Sequence, residues 1–257
     1  MTTTNTADLP GLRRPALPHA DAMRLAATEY DGIADAVEQL APQDWNKPTD
    51  CTEWSVHQLI SHVVGMAAMA ASPLENLRQN RIANKRPGGE AQMIDALTAL
   101  QVRKFGTATS AELTTRLREL GPRAAAGRRR TPGLIRGLRM PGSQVVGGID
   151  EKWSLGYLID IILTRDPWMH RIDLSRATGH ALVLTADHDG RIVDDVVREW
   201  AGRHGRPYRL IPTGPAGGTW SAPAAPDDAL EFDAIEFCRI LSGRGQADGL
   251  LATVVPF

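Results

Sequence analysis

The sequence predicts two joined architectures, a four-helix bundle over residues 20–178 and a small mixed α+β domain over residues 179–257. Three observations predict it. Apolar residues recur at three- and four-residue spacing through four long stretches before residue 178, the signature of amphipathic helices. After Gly179 the rhythm shortens to brief β-like runs, turns and two further helices. A chain of 257 residues, 42% hydrophobic and 23% charged, also holds enough apolar material for a core and enough charge for a wet surface.

The elements follow in order. Residues 1–19, MTTTNTADLPGLRRPALPHA up to its last residue, are polar and proline-rich, lack the apolar run of a secretory signal, and read as a disordered leader of a cytoplasmic protein. From Asp21 to Leu40 the apolar positions Met23, Leu25, Ala26, Tyr30, Ile33, Ala34, Val37 and Leu40 predict helix one. The turn-rich APQDWNKPTDCTE leads to helix two, Trp54 to about Arg81, with Leu59, Ile60, Val63, Val64 and Ala67 on its stripe. A third helical stretch spans Met93 to Leu120 with a break near Gly106, and an arginine- and glycine-rich loop follows to about Asp150. The fourth helix runs from Lys152 to Ala177. In the second domain ALVLT (181–185), PYRLIPTG, GTWSAP and the closing LLATVVPF are strand candidates, DHDG and GPAGG are turns, and Ile192–Ala201 and Asp233–Leu241 are helices.

Composition narrows the function classes. No window approaches eighteen uncharged apolar residues, which excludes a helical membrane span. A net charge of −1 removes any global case for nucleic acid. Residues 122–139 carry six arginines and no acid, but without interleaved aromatics for base stacking they read as a solvated loop, and a nucleic-acid partner is not expected. Cys51 and Cys238 are too few and too far apart for a disulfide scaffold or a cysteine zinc motif, and read as small buried hydrophobes. No G-x-S-x-G elbow or Walker sequence is present, and GPAGG lacks the strand-to-helix setting of a dinucleotide loop.

The chemistry concentrates in TRDPWMHRID, residues 164–173. Asp166 and His170 are four apart, about 40° around a helix, so they present an oxygen and a nitrogen from one face. A His₂-carboxylate metal site needs a third ligand, and helix two offers His57 and His62. These are five apart, about 140° around the helix, so one of them faces the bundle axis; spacing alone does not choose. Pro167 lacks an N–H and disfavours α geometry at Asp166. Two readings follow: a new helix starting with Asp166 as its N-cap, or one continuous helix kinked at the proline. The apolar run LGYLIDIIL before it favours the continuous helix.

The stretch DWNKPTDCTEWSVHQLISHVVG resembles the W-x-x-P-T-x-C-x-x-W-x-V-x-x-x-x-x-H signature of the mycothiol-dependent maleylpyruvate isomerase family, whose bundle is DinB-like, and RDPWMHRIDL resembles its second motif, E-x-x-x-H-R-x-D. The resemblance spans residues 20–178. It implies that His62, Asp166 and His170 ligate one divalent metal, Zn²⁺ foremost, with aspartate standing where the family more often has glutamate. It implies too that a small-molecule thiol, mycothiol, is the nucleophile toward a small electrophilic substrate, either isomerising or S-conjugating it, in an actinobacterial type of cytoplasm. The absence of a well-placed Cys/His pair agrees with a borrowed thiol. The alternative is a DinB-like bundle recruited as a metal-poor ligand-binding or biosynthetic protein.

Other residues receive plainer readings. Trp45 and Trp54 read as core anchors of the loop before helix two, Trp168 as core or site wall, and His188 as part of a turn. Arg171 and Asp173 either support the site from behind or cap a helix end. Arg171, Arg239 and Arg244 are the candidate cations for an anionic thiol cofactor, and for Arg244 a helix C-terminal cation is the competing role.

Overall fold

The computed structural model describes residues 11–51, 53–83 and 91–257. Its contacts divide the chain into two compact units, residues 1–145 with 149–180, and residues 146–148 with 181–257. Residues 1–10 of the expected leader lie outside the described residues. The described part of that leader is not structureless: Leu12–Arg13 forms strand β1, and Arg13 pairs with Glu151 at 3.0 Å. With β2 (Gln144–Val146) and β3 (Ile149–Trp153) it makes a small sheet in the order β1-β3-β2, β1 running parallel to β3 with Leu12 opposite Lys152.

The helices of the first unit are α1 (His19–Glu38), α2 (Val56–Ala71), α3 (Pro73–Ala83), α4 (Ala91–Phe105), α5 (Ser110–Arg129), the single turns α6 (Gly133–Arg136) and α7 (Leu155–Tyr157), a π-helical segment at Leu158–Ile162, and α8 (Leu163–Thr178). Helix α5 packs on α1 and α2, and α8 packs on the same two, so α1, α5, α2 and α8 close the four-helix bundle while α3 and α4 flank α2. Its core joins Ile33 and Val37 of α1, Leu59, Ile60 and Val63 of α2, Leu113 and Leu117 of α5, and Leu174 of α8. Burying each such side chain stabilises the bundle by about 1.5–3 kcal/mol.

Local chemistry sets the helix ends that matter. Ser55 caps α2: its Oγ accepts the Gln58 N–H at 3.4 Å, and Gln58 Oε1 accepts the Ser55 N–H at 2.9 Å. Ser72 and Pro73 then divide what the apolar spacing predicted as one helix into α2 and α3, because a residue before proline avoids helical geometry and Ser72 is extended (ψ 117°). Gly179, left-handed at φ 79°, terminates α8.

The third helical stretch is two helices, α4 and α5, and the predicted loop from residue 122 onward is corrected in its first part: α5 continues to Arg129 with Pro122 inside it. The stripe Leu113, Leu117, Gly121, Ala124, Ala125 and Arg128 stays buried. Its last turns were illegible as a helix face because they are made of small residues, which serve close approach. A Cβ on Gly127 would stand 2.3 Å from the Ala70 carbonyl oxygen of α2.

In the second unit a π-helical turn (Ala186–Gly190) precedes α9 (Arg191–His204). Strands β4 (Arg209–Thr213), β5 (Trp220–Ser221) and β6 (Leu230–Asp233) form a sheet in the order β5-β4-β6, with β6 parallel to β4 and β5 antiparallel. Helix α10 (Ala234–Leu241) starts at Asp233, whose Oδ1 accepts the Ile235 and Glu236 N–H groups. Trp200 centres the core, edge-on to Phe237 at 5.3 Å with its Nε1–H donated to the Leu250 carbonyl. Two strand predictions are corrected: ALVLT and LLATVVPF hold no strand, and the second begins in a 3₁₀ turn at Gly249–Ala252 and then gives its Val255 N–H to the Leu241 carbonyl at the end of α10. Among the described residues no helix is long and apolar enough to cross a membrane.

Candidate metal centre

The centre depends on how α8 survives its proline. In a regular helix Pro167 would owe an N–H to the Leu163 carbonyl and cannot supply it. Arg128, on the last turn of α5, supplies it: its Nη1 donates to Leu163 O at 2.9 Å, and its Nε and Nη2 donate to Ile159 O at 3.0 and 2.7 Å. Nη2 also reaches Thr164 Oγ1 at 2.5 Å. The sequence had placed Arg128 in a solvated loop; it is buried, because the π-helical turn and the proline leave carbonyls that need a donor. Asp166 therefore sits inside a continuous helix and does not start a new one.

That backbone brings His62 of α2 together with Asp166 and His170 of α8. One ligand atom from each lies within 4.8 Å of the others. Asp166 Oδ1 stands 3.6 Å from His62 Nε2 and 3.6 Å from His170 Nε2, too long for hydrogen bonds and close to the spacing of neighbouring donors around a zinc-sized ion, roughly 3.4 Å for ligand bonds of about 2.1 Å. The side chains of both histidines are 6% exposed and that of Asp166 is 20% exposed, so the carboxylate is the accessible edge of the cluster. The imidazoles meet edge-on, centroids 5.4 Å apart. His57 lies apart from this group: its Nε2 contacts the Ala108 carbonyl at 3.0 Å and its ring meets Trp45. The five-residue spacing left that choice open, and the packing of α2 makes it.

Behind His170 stands Asp173, Oδ2 accepting from Nδ1 at 3.0 Å, which orients the ring with Nε2 toward Asp166. His62 has no such brace; its Nδ1 is buried without a hydrogen-bond partner among the described residues. Burial disfavours the His170 imidazolium, yet the charge of Asp166, the hydrogen bond to Asp173 and the neighbouring Cys51 outweigh it and hold its pKa up to about 10. The carboxylates around this ring thus call for a positive charge. Two buried imidazoles and one partly accessible carboxylate, converging, suit a borderline divalent cation of the zinc type, so the residues present fit the metal that the family motif implies.

Trp54 lies against both ligand rings, centroids 5.2 Å from His62 and 6.0 Å from His170, and is a wall of the centre as well as a loop anchor. Trp168 is wholly buried. Arg171 makes a buried two-pronged pair with Glu29 of α1, Nε to Oε1 at 3.0 Å and Nη2 to Oε2 at 3.1 Å. Sequence reasoning missed Glu29, whose one hint was an acid on the apolar stripe of helix one. In the second unit, Arg239 is buried and pairs with Glu236 at 2.6 Å and the Arg244 carbonyl at 3.2 Å, and Arg244 Nη1 donates to Ser242 Oγ. His188 sits in its turn, as read from sequence, with its backbone N–H on Thr185 Oγ1.

The chain resembles the crystal structure of the mycothiol-dependent maleylpyruvate isomerase at a TM-score of 0.54 and 17% identity, covering 89% of this chain and 90% of that one. A histidine-to-alanine mutant of that isomerase aligns equally well, TM-score 0.54 at 16% identity over the same shares. The colibactin self-resistance protein ClbS, solved in complex with dsDNA, aligns at a TM-score of 0.47 and 17% identity over 63% of this chain and 97% of its own. No curated protein matches the sequence. The likeness to the isomerase shows the fold, a helical bundle with a C-terminal α+β part. Residues 26–175, more than half of the chain and including all three converging side chains, match the mycothiol maleylpyruvate isomerase N-terminal domain, and the chain belongs to that family.

Proposed function

We propose that this protein is a metal-dependent enzyme that applies a low-molecular-weight thiol, mycothiol, to a small electrophilic substrate, isomerising it or forming an S-conjugate. The observation that carries the reading is the convergence of His62 Nε2, Asp166 Oδ1 and His170 Nε2. Family membership supports it.

His62, Asp166 and His170 would hold the cation, and three protein ligands leave room for an exogenous donor. A divalent ion there supplies the positive charge that keeps a coordinating thiol deprotonated near neutral pH. The chain's own part is to orient and to exclude water. Asp173 keeps the proton of His170 on Nδ1, so that Nε2 offers its lone pair to the centre. Trp54 covers both imidazoles on one side. Arg128 holds the backbone that carries Asp166, and the Arg171–Glu29 pair clamps α8 to α1 one residue beyond His170.

The test incubates metal-loaded protein with an activated double-bond electrophile and, in turn, mycothiol, glutathione and cysteine, following product mass. Turnover is expected with mycothiol and lost on metal removal. Equal turnover without any thiol, or after complete metal removal, overturns the reading.

A further inference from the structure

Cys51 has no part in the chemistry above, yet it lies against it. Its Sγ is 3.9 Å from His170 Nδ1 and 3.5 Å from Asp173 Oδ2, and those two atoms are 3.0 Å apart. The three face one another across the edge of the His170 imidazole opposite Nε2, which belongs to the His62 and Asp166 cluster. Donors around a tetrahedral zinc-sized ion bound by one thiolate, one imidazole and one carboxylate stand roughly 3.3–3.6 Å apart, given bonds of about 2.0–2.3 Å. The observed separations bracket that range, so small rotations of these side chains would close them on an ion.

We propose that Cys51 Sγ, His170 Nδ1 and Asp173 Oδ2 form a second seat for a soft divalent cation, an alternative to the seat of His62, Asp166 and His170. The donor sets differ in kind. The first has two imidazoles and a carboxylate; the second replaces one imidazole by a thiolate, which favours softer ions such as Cd²⁺. The alternation follows from the imidazole, because a neutral ring has one N–H and one lone pair. With the proton on Nδ1, donated to Asp173, the lone pair of Nε2 serves the first seat. With the proton on Nε2, facing the Asp166 carboxylate at 3.6 Å, the lone pair of Nδ1 serves the second. Binding of the cation to the metal-free protein at the second seat releases the Cys51 thiol proton and the His170 Nδ1 proton to solvent and leaves the ring proton on Nε2. Cys51 is half-buried and in no disulfide. The exclusivity rests on the first seat proposed above, whereas the thiolate seat stands on its own three residues.

The experiment titrates metal-free full-length protein with cadmium chloride and follows the ultraviolet thiolate-to-cadmium charge-transfer absorption. The band should saturate at one equivalent in the wild type, vanish in both Cys51→Ser and Cys51→Ala with the fold checked by circular dichroism, and persist in His62→Ala. Zinc should still bind the Cys51 variants. Absence of the band in wild type, or its full retention in Cys51→Ser, where Cys238 would be its source, overturns the second seat. Two bound equivalents accompanying the full band overturn the alternation. Failure of the first seat reads out separately, as undiminished zinc affinity in His62→Ala.

Discussion

Arg128 Nη1 donates to the Leu163 carbonyl at 2.9 Å, the acceptor that Pro167 leaves without its helical N–H. One side chain on α5 thereby completes the backbone of α8 at the turn that carries Asp166. Replacing Arg128 by alanine should leave the Leu163 and Ile159 carbonyls buried and lacking this donor, at about 1–3 kcal/mol for each such group, a total of about 3 kcal/mol after relaxation. Urea unfolding would check this. Arg128→Lys should recover part of the loss, since an ammonium can serve one or two of the acceptors but not the whole fork. A variant as stable as wild type would show that the π-helical turn does not need the guanidinium.

Metal content gives the next expectation. His62→Ala, Asp166→Ala and His170→Ala should each sharply weaken zinc binding measured by isothermal titration, His170→Ala most, since His170 belongs to both candidate donor sets. Asp173→Asn should weaken it roughly 10- to 100-fold without abolishing it, because Asp173 orients His170 and raises its basicity from behind. Unchanged zinc affinity in Asp173→Asn would remove the orienting role.

The Glu29–Arg171 pair is buried on both sides, with side-chain exposures of 1% and 6%. Glu29→Gln or Arg171→Met alone should destabilise by about 3–5 kcal/mol, since each strands a buried charge, while the double variant should cost less than the sum. Additive losses in a double-mutant cycle would show that the two residues do not act as a pair.

An acid-dependent effect should come from Asp44. Hydrogen bonds from Lys47, His180 and the Ala41 N–H hold its carboxyl well below the usual carboxylate range. A depressed folded-state pKa means the contribution to stability is fully present above the unfolded value, about 4, and is lost as pH falls through the folded one. Asp44→Asn should therefore lower the melting temperature at pH 7, and its deficit should shrink progressively below pH of about 4. A deficit independent of pH down to strong acid would mean that packing, not charge, explains Asp44.

Much of this protein was determined by its sequence alone. Apolar stripes at helical spacing announced the bundle, because a helix that must bury one face repeats its hydrophobes every three or four residues. The capping residues Ser55 and Gln58 set the register of α2, and the two motifs named His62, Asp166 and His170 before any of them had a neighbour. What the tertiary structure decided were contacts between residues far apart in the chain. Arg128 looked like one more solvated arginine until the π-helical turn and Pro167 offered it carbonyls from 31 and 35 residues away. Glu29 found Arg171 across 142 positions, and Cys51 reached His170 and Asp173 across 119 and 122. Helical periodicity is a local property written into neighbouring residues. The partner of a buried charge or of an orphaned carbonyl is chosen only when separate helices pack, and no spacing within one helix encodes it.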